Sequence, residues 1–249
     1  MLGVNPTPRP DWQETALLAL DRKHHWFWDH LNGPLATREQ LLVHFQQEWE
    51  VYVRDFPAFL RLVHDRCPHP EVREAIARNV AEEEEGADSR AGPHADLFLY
   101  MMEGLGFERR SFDRVRLLPG AAEYRRWIDE ATNGPWLIGA AVTVLFVEGS
   151  VQDRAELDGE MAAPPAADFS LHPLVVHQGL DPKYLELKRV HAQVEGGHRR
   201  DAWRAVAGYA LTDSDRRGVN AALSRSLALW RRYRDDVAAA AGVRFSAAV

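Results

Sequence analysis

At 249 residues the chain is sized for one large domain, and 46% hydrophobic with 27% charged residues is the balance of an ordinary globular protein with a substantial core. A net charge of −7, with arginines interleaved among acids, excludes the field needed to hold a phosphate backbone, so no nucleic-acid partner is expected. The one cysteine, Cys67, excludes an internal disulfide and a cysteine-rich zinc site and points to a reducing compartment.

Residues 1–10 carry no basic stretch followed by an apolar one, and no run reaches the ~18 apolar residues of a membrane span. A cytoplasmic location with no membrane partner is therefore expected. The dominant period along the chain is helical. Residues 11–31 carry Leu17, Leu18, Leu20, Trp26, Phe27 and Leu31 before Asn32-Gly33-Pro34 stops them, which predicts a first helix. Thr37 with Gln40 three residues on makes a capping-box start for a second helix through Phe45, Trp49 and Tyr52, kinked by Pro57 and continuing to His64. Pro70 opens a third, which runs through Val72, Ile76 and Val80 into the acidic run Glu82 to Glu85.

A helix from His94 to about Leu105 and another over residues 121–131 come next. Residues 136–154 read as one long helix whose first half is apolar nearly all round, so it should be central. After a Pro/Ala/Gly-rich loop over 158–168, two long helices close the chain: 182 to about 211, and 213 to about 241 from a Thr212/Asp213 cap. No alternating strand pattern appears. The expected fold is an all-α bundle forming a single domain over 1–249.

The most informative motif is His191-Ala-Gln-Val-Glu195-Gly-Gly-His198. At about 100° per residue, positions i, i+4 and i+7 share one stripe of a helix, so two imidazoles and a carboxylate face the same way. The stripe runs back through Lys188 and Tyr184. A solvated helix face is the plain reading of such a pair, but Gly196 and Gly197 each cost a helix interior about 1 kcal/mol, which suggests close packing or a bulge beside a site.

In a bundle, a metal site is built from inward side chains of facing helices. Glu148 is the clearest second contributor, because its neighbours at three and four positions are Val144, Leu145, Val151 and Gln152, and a core carboxylate needs a cation, a proton or a metal. Glu83 and His94 are the others, although an acidic run by itself is usually a solvated face. Together Glu83, His94, Glu148, His191, Glu195 and His198 form a set of carboxylates and imidazoles without thiolate. That chemistry suits iron or manganese, and six donors are more than one tetrahedral ion uses.

The order Asn79-Val-Ala-Glu-Glu83-Glu-Glu-Gly86, then His94-Ala-Asp-Leu-Phe, then Phe-Val-Glu148, then His191-x3-Glu195-x2-His198 resembles the haem-oxygenase-like di-iron oxidases and oxygenases, relatives of pyrroloquinoline-quinone synthase and thiaminase II. The likeness spans about residues 26–211. In that family the first ligand glutamate lies a few residues after an asparagine such as Asn79, which selects Glu83; the next histidine corresponds to His94, the later acid to Glu148, and the triplet to His191, Glu195 and His198. Two departures stand out. Many members have aspartate where this chain has Glu195, whose longer arm would weaken the second metal position, and the segment broken by Gly92-Pro93 keeps Glu82 and Glu84 open as alternatives to Glu83.

The resemblance implies a seven-helix up-and-down bundle that binds two Fe(2+) per chain and uses O2 as co-substrate on a small-molecule substrate. An amine- or amino-acid-derived metabolite is expected, through N-oxygenation or oxidative C–C cleavage, with a homodimer as the candidate assembly. The alternatives are a metal-free oxidase resembling pyrroloquinoline-quinone synthase and a non-enzymatic iron-binding bundle. A thiaminase-II-like hydrolase would need a late cysteine, and Cys67 is early. His24 and His25, beside Trp26 and Trp28, read as packed or surface residues and not as haem ligands.

Overall fold

Every regular element in the computed structural model is helical, in line with the 3.6-residue period, and no strand forms among the described residues. The structure describes residues 9–158 and 168–245, with side chains throughout except at Glu156 and residues 193–200.

The segment read as a first helix is two: α1 (Asp11–Asp21) and α2 (Trp26–Leu31). Two polar residues make the break. The Lys23 ammonium leaves the helical path to meet backbone carbonyls elsewhere in the bundle, and His25 Nδ1 accepts from Phe27 N–H to cap α2. α3 (Arg38–Glu48) starts at the Thr37/Gln40 capping box, with both reciprocal bonds formed. It continues as a π-helical turn over Trp49–Val53 before Asp55 breaks it from α4 (Phe56–Arg66), which has Pro57 in its first turn, where proline is tolerated. α5 (Pro70–Glu85), α6 (His94–Gly104) and α7 (Pro119–Asn133) form as expected.

α8 (Trp136–Ala140) passes into a second π-helical stretch, Ala141–Val147, which stops just before Glu148; the one long helix expected over 136–154 therefore ends early, and α9 (Asp153–Leu157) is separate. Its apolar half is central, because Ala140 through Phe146 are all buried and pack among α4, α7, α11 and α12. Beyond α10 (Pro173–Gln178), α11 (Glu186–Ala207) runs unbroken through Gly196 and Gly197, without the bulge those glycines suggested. α12 (Asp213–Ala240) starts at a Thr212/Asp215 capping box and packs along α7, α1 and α3.

One polar network lies inside this apolar framework. The fully buried Arg234 of α12 donates to Glu48 Oε1 at 2.7 Å and to His44 Nδ1 at 3.1 Å, both on α3, while Tyr52 donates to Glu48 at 2.8 Å. Its guanidinium also lies 4.0 Å from the Trp230 ring centroid and 4.7 Å from that of Trp28. Burial above all holds the His44 imidazole down, to about 3, so it is neutral. Burial pushes the Glu48 carboxyl up, but His44 and Arg234 outweigh that and bring it to about 2.

Arg234→Met should leave Glu48 buried without its cation and cost about 3–5 kcal/mol, read as a lowered urea midpoint at unchanged slope. Acid stability carries a second expectation. Because His44 titrates near 6.5 when unfolded and near 3 when folded, the unfolded chain binds more protons between these values and stability falls as pH is lowered across that window, by on the order of 4 kcal/mol in all. Between pH 6.5 and 4.5, above the ordinary range of Glu48, His44→Gln should flatten the slope in denaturant titrations.

Candidate metal centre

α5 ends in four consecutive glutamates, each with a different neighbour. Gly86 closes the helix in the left-handed region at φ 63°, and a Cβ there would collide with the backbone of Gly92, so the loop folds tightly back over the last turn. This places the N–H groups of Asp88 and Ser89 on Glu82 Oε2, at 2.7 and 3.1 Å, and the Glu82 carboxylate is wholly buried. Burial raises its pKa, yet the donors from Ser89 and Asp88, with His94, lower it on balance.

His94 opens α6 directly below. Its Nε2 lies 3.3 Å from Glu82 Oε1 and its Nδ1 lies 3.0 Å from Glu83 Oε1. Burial favours the neutral imidazole, but Glu83 and then Glu82 overcome it and raise the His94 pKa. The His191 ring lies beside it, centroids 5.2 Å apart. Glu84 turns away to Arg61, and Glu85 is exposed. Of the four glutamates, Glu83 faces His94 Nδ1 from the open side, whereas Glu82 is fastened by the loop.

Glu148 reaches the same helix from the other direction. Its amide bonds Thr143 carbonyl at 3.2 Å, the five-residue step of the π-helix, and its Oε1 accepts from Asn79 Nδ2 at 2.6 Å, one turn before Glu83 on α5. Lys23 fixes the end of that run of carbonyls, donating to Phe146, Val147 and Gly149 at 2.6, 2.9 and 2.5 Å. A cleft of about 240 Å³ opens beside Glu148, lined by Asn79, Arg78, Asp88, Val144 and Asp201 among others.

Of the six residues proposed from sequence, Glu83, His94 and His191 stand together, and Glu148 is joined to their helix through Asn79. Glu195 and His198 lie on α11, and their side chains are outside the described ones. Among the described residues, no group of three or more His, Cys, Asp or Glu side chains gathers closely enough to hold a metal ion. The roles of Glu82 and Lys23 have no sequence signal: an acidic run reads as solvated, and a lysine between two helical segments reads as surface. His24 is exposed beside Asp29, and His25 is tied to Asp235, so neither faces this cluster. Cys67 is buried, and burial pushes its thiol up, away from the reactive thiolate.

The all-α bundle is of the haem-oxygenase-like class. More narrowly, the chain belongs to the iron-containing redox enzyme family, whose model matches residues 43–231. No curated protein matches it by sequence. Its fold is similar to that of a TenA homolog from Pseudomonas syringae pv. tomato (TM-score 0.68, 12% identity, 92% of this chain and 93% of that one). It is also similar to a CADD-like protein of unknown function from Nostoc punctiforme (0.58, 14%, 91% and 90%) and a TenA family transcription regulator from Silicibacter sp. (0.52, 18%, 89% and 93%). At such identities the likeness establishes the fold. Among the described residues no helix is long and apolar enough to cross a membrane.

Lys23→Met should uncouple α1 from the segment that ends at Glu148. Loss of charge-assisted bonds to three carbonyls is expected to cost about 2–4 kcal/mol and to speed amide exchange at Glu148 and Gly149 beyond that global change, measured by hydrogen exchange with mass spectrometry.

Proposed function

We propose that the chain is an O2-using, non-haem di-iron oxidase or oxygenase that acts on a small amine- or amino-acid-derived metabolite. Membership of an iron-containing redox family supplies the metal class. The observation that carries the reading further is the Glu82–His94–Glu83 relay: Glu82 accepts at His94 Nε2 and so turns Nδ1 toward Glu83, the arrangement by which a carboxylate fixes the ring of a metal-binding histidine. Oxygen and imidazole donors without thiolate suit iron, so the residues present fit the group.

Glu83, His94 and Glu148, with His191, Glu195 and His198 from α11, would hold the two ions. When bound, ferrous iron supplies electrons for the reduction of O2. The protein's own contribution is positional. Asn79 holds the Glu148 carboxylate, Glu82 holds the His94 ring, and the raised His94 pKa means that a proton competes with the metal at that ring. Among the described residues Asp88, Asp201 and Glu148 around the cleft outnumber Arg78, and this balance favours a substrate bearing an ammonium group.

Anaerobic loading with ferrous iron tests the reading. About two irons per chain are expected, with most lost in Glu83→Ala, none lost in Glu84→Ala, and affinity lowered about 10–100-fold in Glu82→Gln. Iron below one per chain with O2 consumption intact would establish the metal-free oxidase instead. Iron bound without O2 consumption would establish a storage or scaffold bundle.

A further inference from the structure

We propose that the cavity between α2, α3, α10 and α11 is a binding site for a small organic monocarboxylate with an aromatic or apolar body. The cavity measures about 220 Å³, and Trp28, Leu31, Leu41, Phe45 and Leu174 give it apolar walls. That is below the ~300 Å³ of sites for drug-sized ligands and limits the occupant to a molecule of aromatic-acid size.

Its polar lining is His44, His172 and Lys188 together with Asn32 and the Glu48 carboxylate. His44 is wholly buried; since its Nδ1 accepts from Arg234, the ring proton sits on Nε2, and no hydrogen bond among the described residues satisfies that atom. The nearest carboxylate, Glu48 Oε2, lies 3.5 Å away and is committed to Arg234 and Tyr52 through its other oxygen. His172 uses Nδ1 to accept from Leu174 N–H, which leaves its Nε2 as the donor. Burial, reinforced by Lys188, lowers the His172 pKa and so disfavours its charged form. Lys188 supplies the single cation, and among the described residues it makes no ion pair. With the Glu48 charge answered by Arg234, two imidazole N–H donors and one ammonium over apolar walls match a monoanion with an apolar body, not a dianionic phosphate, for which paired guanidinium groups would be expected. The inference stands apart from the iron reading, although Lys188 is one turn before His191 on α11.

Titration of the metal-free protein with 1-naphthoate, followed by tryptophan fluorescence and calorimetry, is the direct test. Submillimolar binding is expected, with 1-naphthamide about tenfold weaker. Lys188→Met should weaken naphthoate about tenfold and leave naphthamide unchanged, Lys188→Arg should retain binding, and His172→Gln should weaken the acid more than the amide. Equal affinity for acid and amide, no effect of Lys188→Met, or no binding of naphthoate, benzoate and phenylacetate at millimolar concentration would overturn the proposal. Ferrous loading of Lys188→Met, expected to equal that of the unsubstituted chain, separates a failure here from a failure of the iron reading.

Discussion

The buried carboxylate of Glu82 is the constraint on which the candidate centre depends. A carboxylate removed from water must be met by donors or it destabilises the fold, and here every donor is drawn from the loop and helix immediately downstream. Four glutamates at the C-terminal end of α5 also stand where the helix dipole disfavours anions. Each is therefore answered separately: Glu82 by the Asp88 and Ser89 amides, Glu83 by His94, Glu84 by Arg61, and Glu85 by solvent. The close approach of Gly86 and Gly92 lets the loop return far enough to do this, and it also delivers His94 to the start of α6.

The two π-helical stretches have a common position. Trp49–Val53 begins directly after Glu48, and Ala141–Val147 directly precedes Glu148. Each carboxylate reaches across the bundle, to Arg234 on α12 in one case and to Asn79 on α5 in the other. A widened turn offsets the residues on its two sides by about one position relative to an α-helix, so an acid that would otherwise sit on a flank is aimed at a neighbouring helix. Lys23 then ties the second stretch to the start of the chain, and cation–π contacts with Phe146 and Trp230, at 5.1 and 5.0 Å, anchor the ammonium among aromatic rings.

The sequence is legible where the deciding interactions are local. The capping box at Thr37, the helix cap at Thr212, the α5 start at Pro70 and the buried run before Glu148 depend on residues within a turn or two, and the sequence pattern places them. The break at residues 22–25 is hidden because one of its two causes is more than a hundred residues away, at the carbonyls that Lys23 reaches. The same limit applies to Glu82 and Glu83. Periodicity puts both near the end of α5, but only the folded loop decides which is fastened and which faces His94, although the family resemblance singles out Glu83.

α11 is the element through which these features meet. Along one helix it presents Lys188 to the apolar cavity, His191 to His94, and Asp201, Ala202 and Ala205 to the acidic cleft. Of its own described residues, α11 thus gives a cation to the smaller chamber and a carboxylate to the larger one. Rotating this helix by one residue would move each side chain by about 100° and misplace all three at once. The packing of α11 against α6, α8 and the π-helical stretch before Glu148 therefore sets the chemistry of both chambers together. A bundle that keeps its shape at 12–18% identity to its structural neighbours can change what it binds by altering a few positions on this helix while its packing face is kept.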